Sequence, residues 1–147
     1  MRKIGTPTTT SQRTGRISTA RSGAGKAMFR FYQDLITLSR RMRPIRGHNI
    51  DILHQHNQNR VIAFKRWTDD EEVIVVASLA ASAFTAGYEV TKDLLAIPNA
   101  GWKEIFNSDA AIFGGQNVGN GGAIIVSNQG RLDLVIPANE FVIFLKQ

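Results

Sequence analysis

Gly101 to Gly122 reads GWKEIFNSDAAIFGGQNVGNGG, and the rest of the chain falls into place around it. Trp102-Lys103-Glu104-Ile105-Phe106 has the alternation of a strand, with Trp102, Glu104 and Phe106 sharing one face of an ideal pleat. Asn107, Ser108 and Asp109 then break it, because short polar side chains bond their own backbone and turn the chain. Glycines at 114, 115, 119, 121 and 122 permit left-handed dihedrals or close backbone approach. A long ordered loop of this kind either crosses between two sheets or forms an interface. Glu104 and Asp109 are expected to orient loop backbone rather than to transfer protons.

The flanking segments read as short strands separated by turns. Asn49 to His54 is a first strand, with Ile50, Ile52 and His54 on one face. Asn57 to Asn59 turns into Arg60–Trp67, giving a hairpin. Asp69 to Glu72 reads as a solvated acidic turn. Val73 to Leu79 is continuously apolar, as for a strand at a sheet centre. Further strands are expected near Phe84–Val90, Ala123–Ser127, Leu132–Ile136 and Phe141–Lys146, while Lys92 to Asn99 stays ambiguous. This spacing predicts an all-β fold, an antiparallel β-sandwich over residues 46–147.

Ahead of it lies one amphipathic helix, residues 26–44, with Met28, Phe31, Leu35, Leu38 and Met42 on one stripe, widened by Phe29, Tyr32 and Ile36. Arg40, Arg41 and Arg43 suit its C-terminal end, and Pro44 forbids continuation. Residues 1–25, rich in Thr, Ser, Arg and Gly and free of aromatics, read as a disordered basic leader. The chain carries 18 Lys and Arg against 12 Asp and Glu, and 11 of those bases but only one acid lie before Gly47. The basic character therefore belongs to the front, and a nucleic-acid role, resting on the leader alone, ranks last. The leader also has the composition of a transit peptide, without a convincing amphipathic stripe.

Several motifs in order resemble the C-terminal all-β domain of the α-amylase superfamily, with the nearest likeness to 1,4-α-glucan branching enzymes. They are the GW-x-E-x-FNSD and GG-x-x-x-GN-GG segments, Arg60-Val-Ile-Ala-Phe with Arg66-Trp67, Val75 to Leu79, Gly87-Tyr88, and Ile136-Pro-Ala-Asn139. Helix segment MFRFYQDLITLSRR is similar to the last helix of that family's catalytic barrel. A barrel needs roughly 250 residues, so 147 residues accommodate the β domain and not the enzyme. The resemblance implies a detached, non-catalytic domain that stabilises a barrel and assists glucan binding. The alternative is a stand-alone glucan- or protein-binding module, using the 101–122 loop or the helix face.

No barrel carboxylate motif is present, so no catalytic residue carries over, and no cofactor is implied. His48, His54 and His56 are the only histidines; His54 and His56 fall on one strand face, but no third ligand is evident and no metal site is expected. The candidate glucan contacts are Phe113, Trp102 and Trp67, since sugars stack on exposed aromatics, although tryptophans in a small sandwich more often pack its core. The candidate partner surface is the helix face of Phe31, Leu35 and Leu38; with no barrel to cover, it is expected to pack on the β domain, to self-associate, or to bind a separate barrel or another protein. With no cysteine, a disulfide-stapled secreted scaffold is excluded, and cytoplasm (or plastid stroma) is the expected compartment. No apolar run approaches a membrane-spanning length.

Overall fold

The computed structural model describes residues 23–147. Helix α1 (Ala24–Arg41) is followed by one helical turn, α2 (Arg43–Arg46). Eight strands follow: β1 (Asn49–His56), β2 (Val61–Trp67), β3 (Glu72–Ser78), β4 (Phe84–Thr91), β5 (Gly101–Asn107), β6 (Ile124–Val126), β7 (Arg131–Ile136) and β8 (Phe141–Lys146). The expected all-β sandwich with an N-terminal helix is the observed architecture. Expectations for residues 1–22 lie outside the described residues. Ala24 and Gly25, assigned above to the leader, belong to α1.

The sandwich is lopsided. Six strands form one antiparallel sheet in the order β1-β2-β3-β8-β5-β6, and β4 and β7 pair as a two-stranded ribbon across it. Between them lies the main core, including Val61, Ala63, Ile74, Val76, Val90, Trp102, Leu132, Leu134, Val142 and Phe144. Pro44 does not end the helical path at once. Met42 breaks α1 with an extended ψ of 104°, and Pro44 then sits in the first turn of α2, where its missing N–H costs nothing.

A second apolar cluster forms on the outer face of the large sheet. Met42, Val73, Phe106 and Ile143 are buried there, and Phe31, Leu35 and Leu38 of α1 pack on them. Of the partners open to this helix face, the β domain is the one observed, so Phe31, Leu35 and Leu38 are not free to hold a separate barrel. Its inward residues are spaced as a helix requires, and β5 supplies the opposing aromatic surface.

Two β-bulges correct the face assignments. In β5 the register with β8 slips between Glu104 and Phe106, so Glu104 pairs with Phe144 but Phe106 with Ile143. One extra residue reverses which side the next side chain occupies. Trp102 therefore points into the main core and Phe106 into the cluster under α1. In β1 the slip lies between Ile52 and His54, so Ile52 pairs with Phe64 while His54 pairs with Ala63 on the core side. Glu72, read as part of a turn, opens β3. Lys92–Asn99, ambiguous in the sequence, is a turn that buries Ala96 and Ile97 as a plug in the main core.

Candidate functional site

The glycine-rich loop is held by carboxylates that accept from its backbone. Glu104, 7% exposed, takes Asn120 N at 2.7 Å and Asn120 Nδ2 at 2.8 Å on one oxygen, and Gly122 N at 3.1 Å on the other. Asp109 accepts from Gln116 N at 3.0 Å and Val118 N at 2.9 Å. Asn107 closes the turn, accepting from Asp109 N and donating to Val118 O, both at 2.9 Å. Any side chain at Gly119 would run into the Asn107 amide, which is why the chain passes that point as glycine. Glu104 and Asp109 thus hold loop backbone N–H groups, with the Asn120 side-chain amide as a further donor to Glu104.

Phe113 does not stand free at the loop tip. It lies on a 3₁₀ turn (Ala111–Phe113), stacks on Phe106 at 5.5 Å and meets Phe31 edge-on at 5.4 Å. It wedges α1 against the sheet, so its first task is packing. Trp102 is fully buried, and its indole N–H donates to Ser127 Oγ at 2.9 Å, which leaves no ring face for a sugar. The third candidate, Trp67, is half-buried at the end of β2 and lines a cleft of about 390 Å³ with Asp51, Lys65, Glu72, Asp93, Leu95 and Ala96. Lys65 Nζ lies 5.3 Å from the Trp67 ring centre. Lys65 lies two residues before Trp67 on the same face of β2, a proximity that strand alternation already implies, whereas Asp93 reaches the cleft only through the turn after β4.

His54 and His56 do share a face, their rings stacked at 6.2 Å. His54 Nε2 bonds Tyr88 Oη at 2.9 Å, and His56 Nδ1 accepts from Asn59 N at 3.0 Å. Burial, followed by the neighbouring His56, pushes the His54 pKa below the ordinary 6.5. Among the described residues no three His, Asp or Glu side chains converge as a metal site would need.

The remaining feature is the outer side of α1. Met28, Phe29, Tyr32 and Ile36 are 56%, 68%, 55% and 49% exposed. The broad stripe read from the sequence is thus two faces: one packs on the sheet, the other meets solvent. Among the described residues no helix is long and apolar enough to cross a membrane.

Residues 52–147 match the family described as "Alpha amylase, C-terminal all-beta domain". The chain belongs to that family. Relatives of this amylase C-terminal domain include the 1,4-alpha-glucan branching enzyme GlgB of Pseudomonas syringae pv. tomato, 33% identical over 78 residues, which make up 53% of this chain and 10% of that protein. Branching enzyme GlgB 1 of Xanthomonas campestris pv. campestris (strain 8004) is 42% identical over 74 residues, 48% of this chain and 9% of that one. The domain therefore spans about a tenth of the length of these curated relatives. Among solved structures, the α-amylase from H. orenii superposes with a TM-score of 0.53 at 19% identity, over 80% of this chain and 20% of that one. The debranching enzyme from Nostoc punctiforme gives 0.55 at 21%, over 82% and 21%. At such identities these two speak for the fold alone.

Proposed function

We propose that this is the non-catalytic C-terminal β domain of an α-glucan-acting enzyme of the branching-enzyme or amylase type, and that the outer side of α1 docks it on a catalytic barrel. The observation that carries the reading is the pairing of a well-packed inner helix face with an exposed outer one at Met28, Phe29, Tyr32 and Ile36. A helix already fixed to its sheet presents those side chains with no backbone left to order, which lowers the cost of association. Roughly nine tenths of each branching-enzyme relative lies outside the matched segment, which supplies an occupant for that face. The acids of the glycine loop are spent on backbone, so the domain contributes stability and glucan contact, and the barrel contributes chemistry. Its place is in α-glucan metabolism, in the cytoplasm, a reading supported by the branching-enzyme relatives and the lack of cysteine.

The test mixes the chain with a branching-enzyme catalytic segment truncated before its own β domain. The expected result is a complex that raises the melting temperature of the truncated partner and is lost with Phe29→Asp or Ile36→Asp. Absence of any complex, or one indifferent to both substitutions, overturns the docking. Branching or cleavage of glycogen by the chain alone overturns the non-catalytic assignment.

The alternative, a stand-alone glucan-binding module, draws support from the Trp67 cleft. It predicts glucan binding with no barrel partner.

A further inference from the structure

The cleft at Trp67 has no part in the docking face, and its chemistry is specific. The β4–β7 ribbon is only two strands wide, so it cannot cover the whole inner face of a six-stranded sheet. Where cover runs out, inward positions of β1, β2 and β3 open to solvent. Asp51 pairs across the ladder with Lys65, and Trp67 with Glu72. The turn after β4 forms the opposite wall through Asp93, Leu95 and Ala96.

Lys65 is the unusual member. It is only 8% exposed, yet its ammonium has just a 3.5 Å contact with Leu95 O and a 3.6 Å approach to Glu72. An ammonium carries three donors, so a buried one this sparsely bonded is costly unless something else accepts from it. On the other side of the pair, Glu72 Oε2 is shielded from water and has no hydrogen-bond partner. Glu72 Oε1 is taken by Lys146 Nζ at 2.6 Å. Asp93 uses one carboxylate oxygen on Leu95 N and Ala96 N, both at 3.0 Å, and itself lines the cleft.

We infer that this cleft is a saccharide subsite for a short α-1,4-glucan segment. A pyranose offers an apolar C–H face for an indole and a rim of hydroxyls that both donate and accept. Trp67 supplies the ring, Asp51 and Asp93 accept from hydroxyls, and Lys65 donates its spare N–H groups. The volume lies within the ~300–1,000 Å³ of small-molecule sites. An anion would meet Asp51 and Asp93, and no three carboxylate or imidazole groups converge for a cation among the described residues. A neutral polyol satisfies the ammonium without adding charge. That the polyol is an α-1,4-glucan rests on the function proposed above.

Only two tryptophans are present, and Trp102 is sealed in the core, so a ligand-induced change in intrinsic fluorescence reports Trp67. Titrating the full chain with maltoheptaose is expected to give a saturable change in the millimolar range. Calorimetry should then find binding weakened several-fold in Asp51→Ala and Lys65→Met, and at least tenfold in Trp67→Ala. Asp51 lies on an edge strand, so its variant keeps the fold and the proposal stays open to refutation if Trp67→Ala does not fold. No saturable change overturns the subsite, as does equal affinity in Asp51→Ala. Equal binding of cellopentaose overturns the α-glucan assignment. Should the barrel complex form while maltoheptaose fails to bind, only the subsite falls; should neither occur, both readings fall.

Discussion

Glu104 shows how much one side chain can hold in a domain this small. Its carboxylate takes three N–H groups from the stretch Asn120–Gly122 of the glycine-rich loop. Glu104→Ala strands the Asn120 and Gly122 amides, and the expected cost is about 2–3 kcal/mol, read as a lower urea midpoint with an unchanged slope. His54 acts in the opposite sense. Its pKa is depressed in the folded protein, so the unfolded chain binds the proton first as pH falls. The His54 contribution is intact above the ordinary 6.5 and is lost progressively as pH drops from there towards the folded-state value. Urea midpoints compared at about pH 7 and pH 5 should therefore fall more in wild type than in His54→Gln. An equal fall in both proteins would show that other groups set the acid sensitivity.

The elements divide into those written in local pattern and those set by distant partners. The β1–β2 hairpin, the apolar β3, the break at Asn107–Asp109 and the closing β8 were all legible, because alternation and turn residues are local signals. The bulges were not, because one extra residue in β5 or β1 leaves the composition of the strand unchanged. They moved Phe106 away from Trp102, and His54 away from Ile52. The Trp67 cleft was half legible: an aromatic at a strand end is visible in the sequence, whereas Asp93 reaches it only through tertiary folding. The helix stripe had the same limit. Periodicity announces an apolar face but not that only part of it packs on the sheet while the rest meets solvent. This division is testable. Phe31 lies inside, in edge-on contact with Phe106 at 5.9 Å and Phe113 at 5.4 Å, whereas Phe29 is 68% exposed. Phe31→Ala should cost about 2 kcal/mol in the isolated chain, below the full core value because the ring is only partly buried. Phe29→Ala should change stability by less than about 0.5 kcal/mol. Equal effects by chemical denaturation would mean that the helix does not sit as described.

For the molecule as a whole, the order of strands carries a consequence for how it comes into being. β8, the last strand, lies between β3 and β5. It joins β3 along Val73–Ala77 and β5 along Trp102–Asn107. Every strand made before it belongs to one of two half-sheets with no ladder between them, or to the ribbon that covers both. A ribosome making this chain therefore holds two open edges side by side until residues 141–146 emerge. Open edges are where nascent chains stick to one another. A truncation after Glu140 should give not a slightly weaker domain but no cooperative unfolding transition at all, with the product recovered in the insoluble fraction. Quality control is thus written into the topology: a prematurely terminated copy lacks the strand that would let it pass as folded.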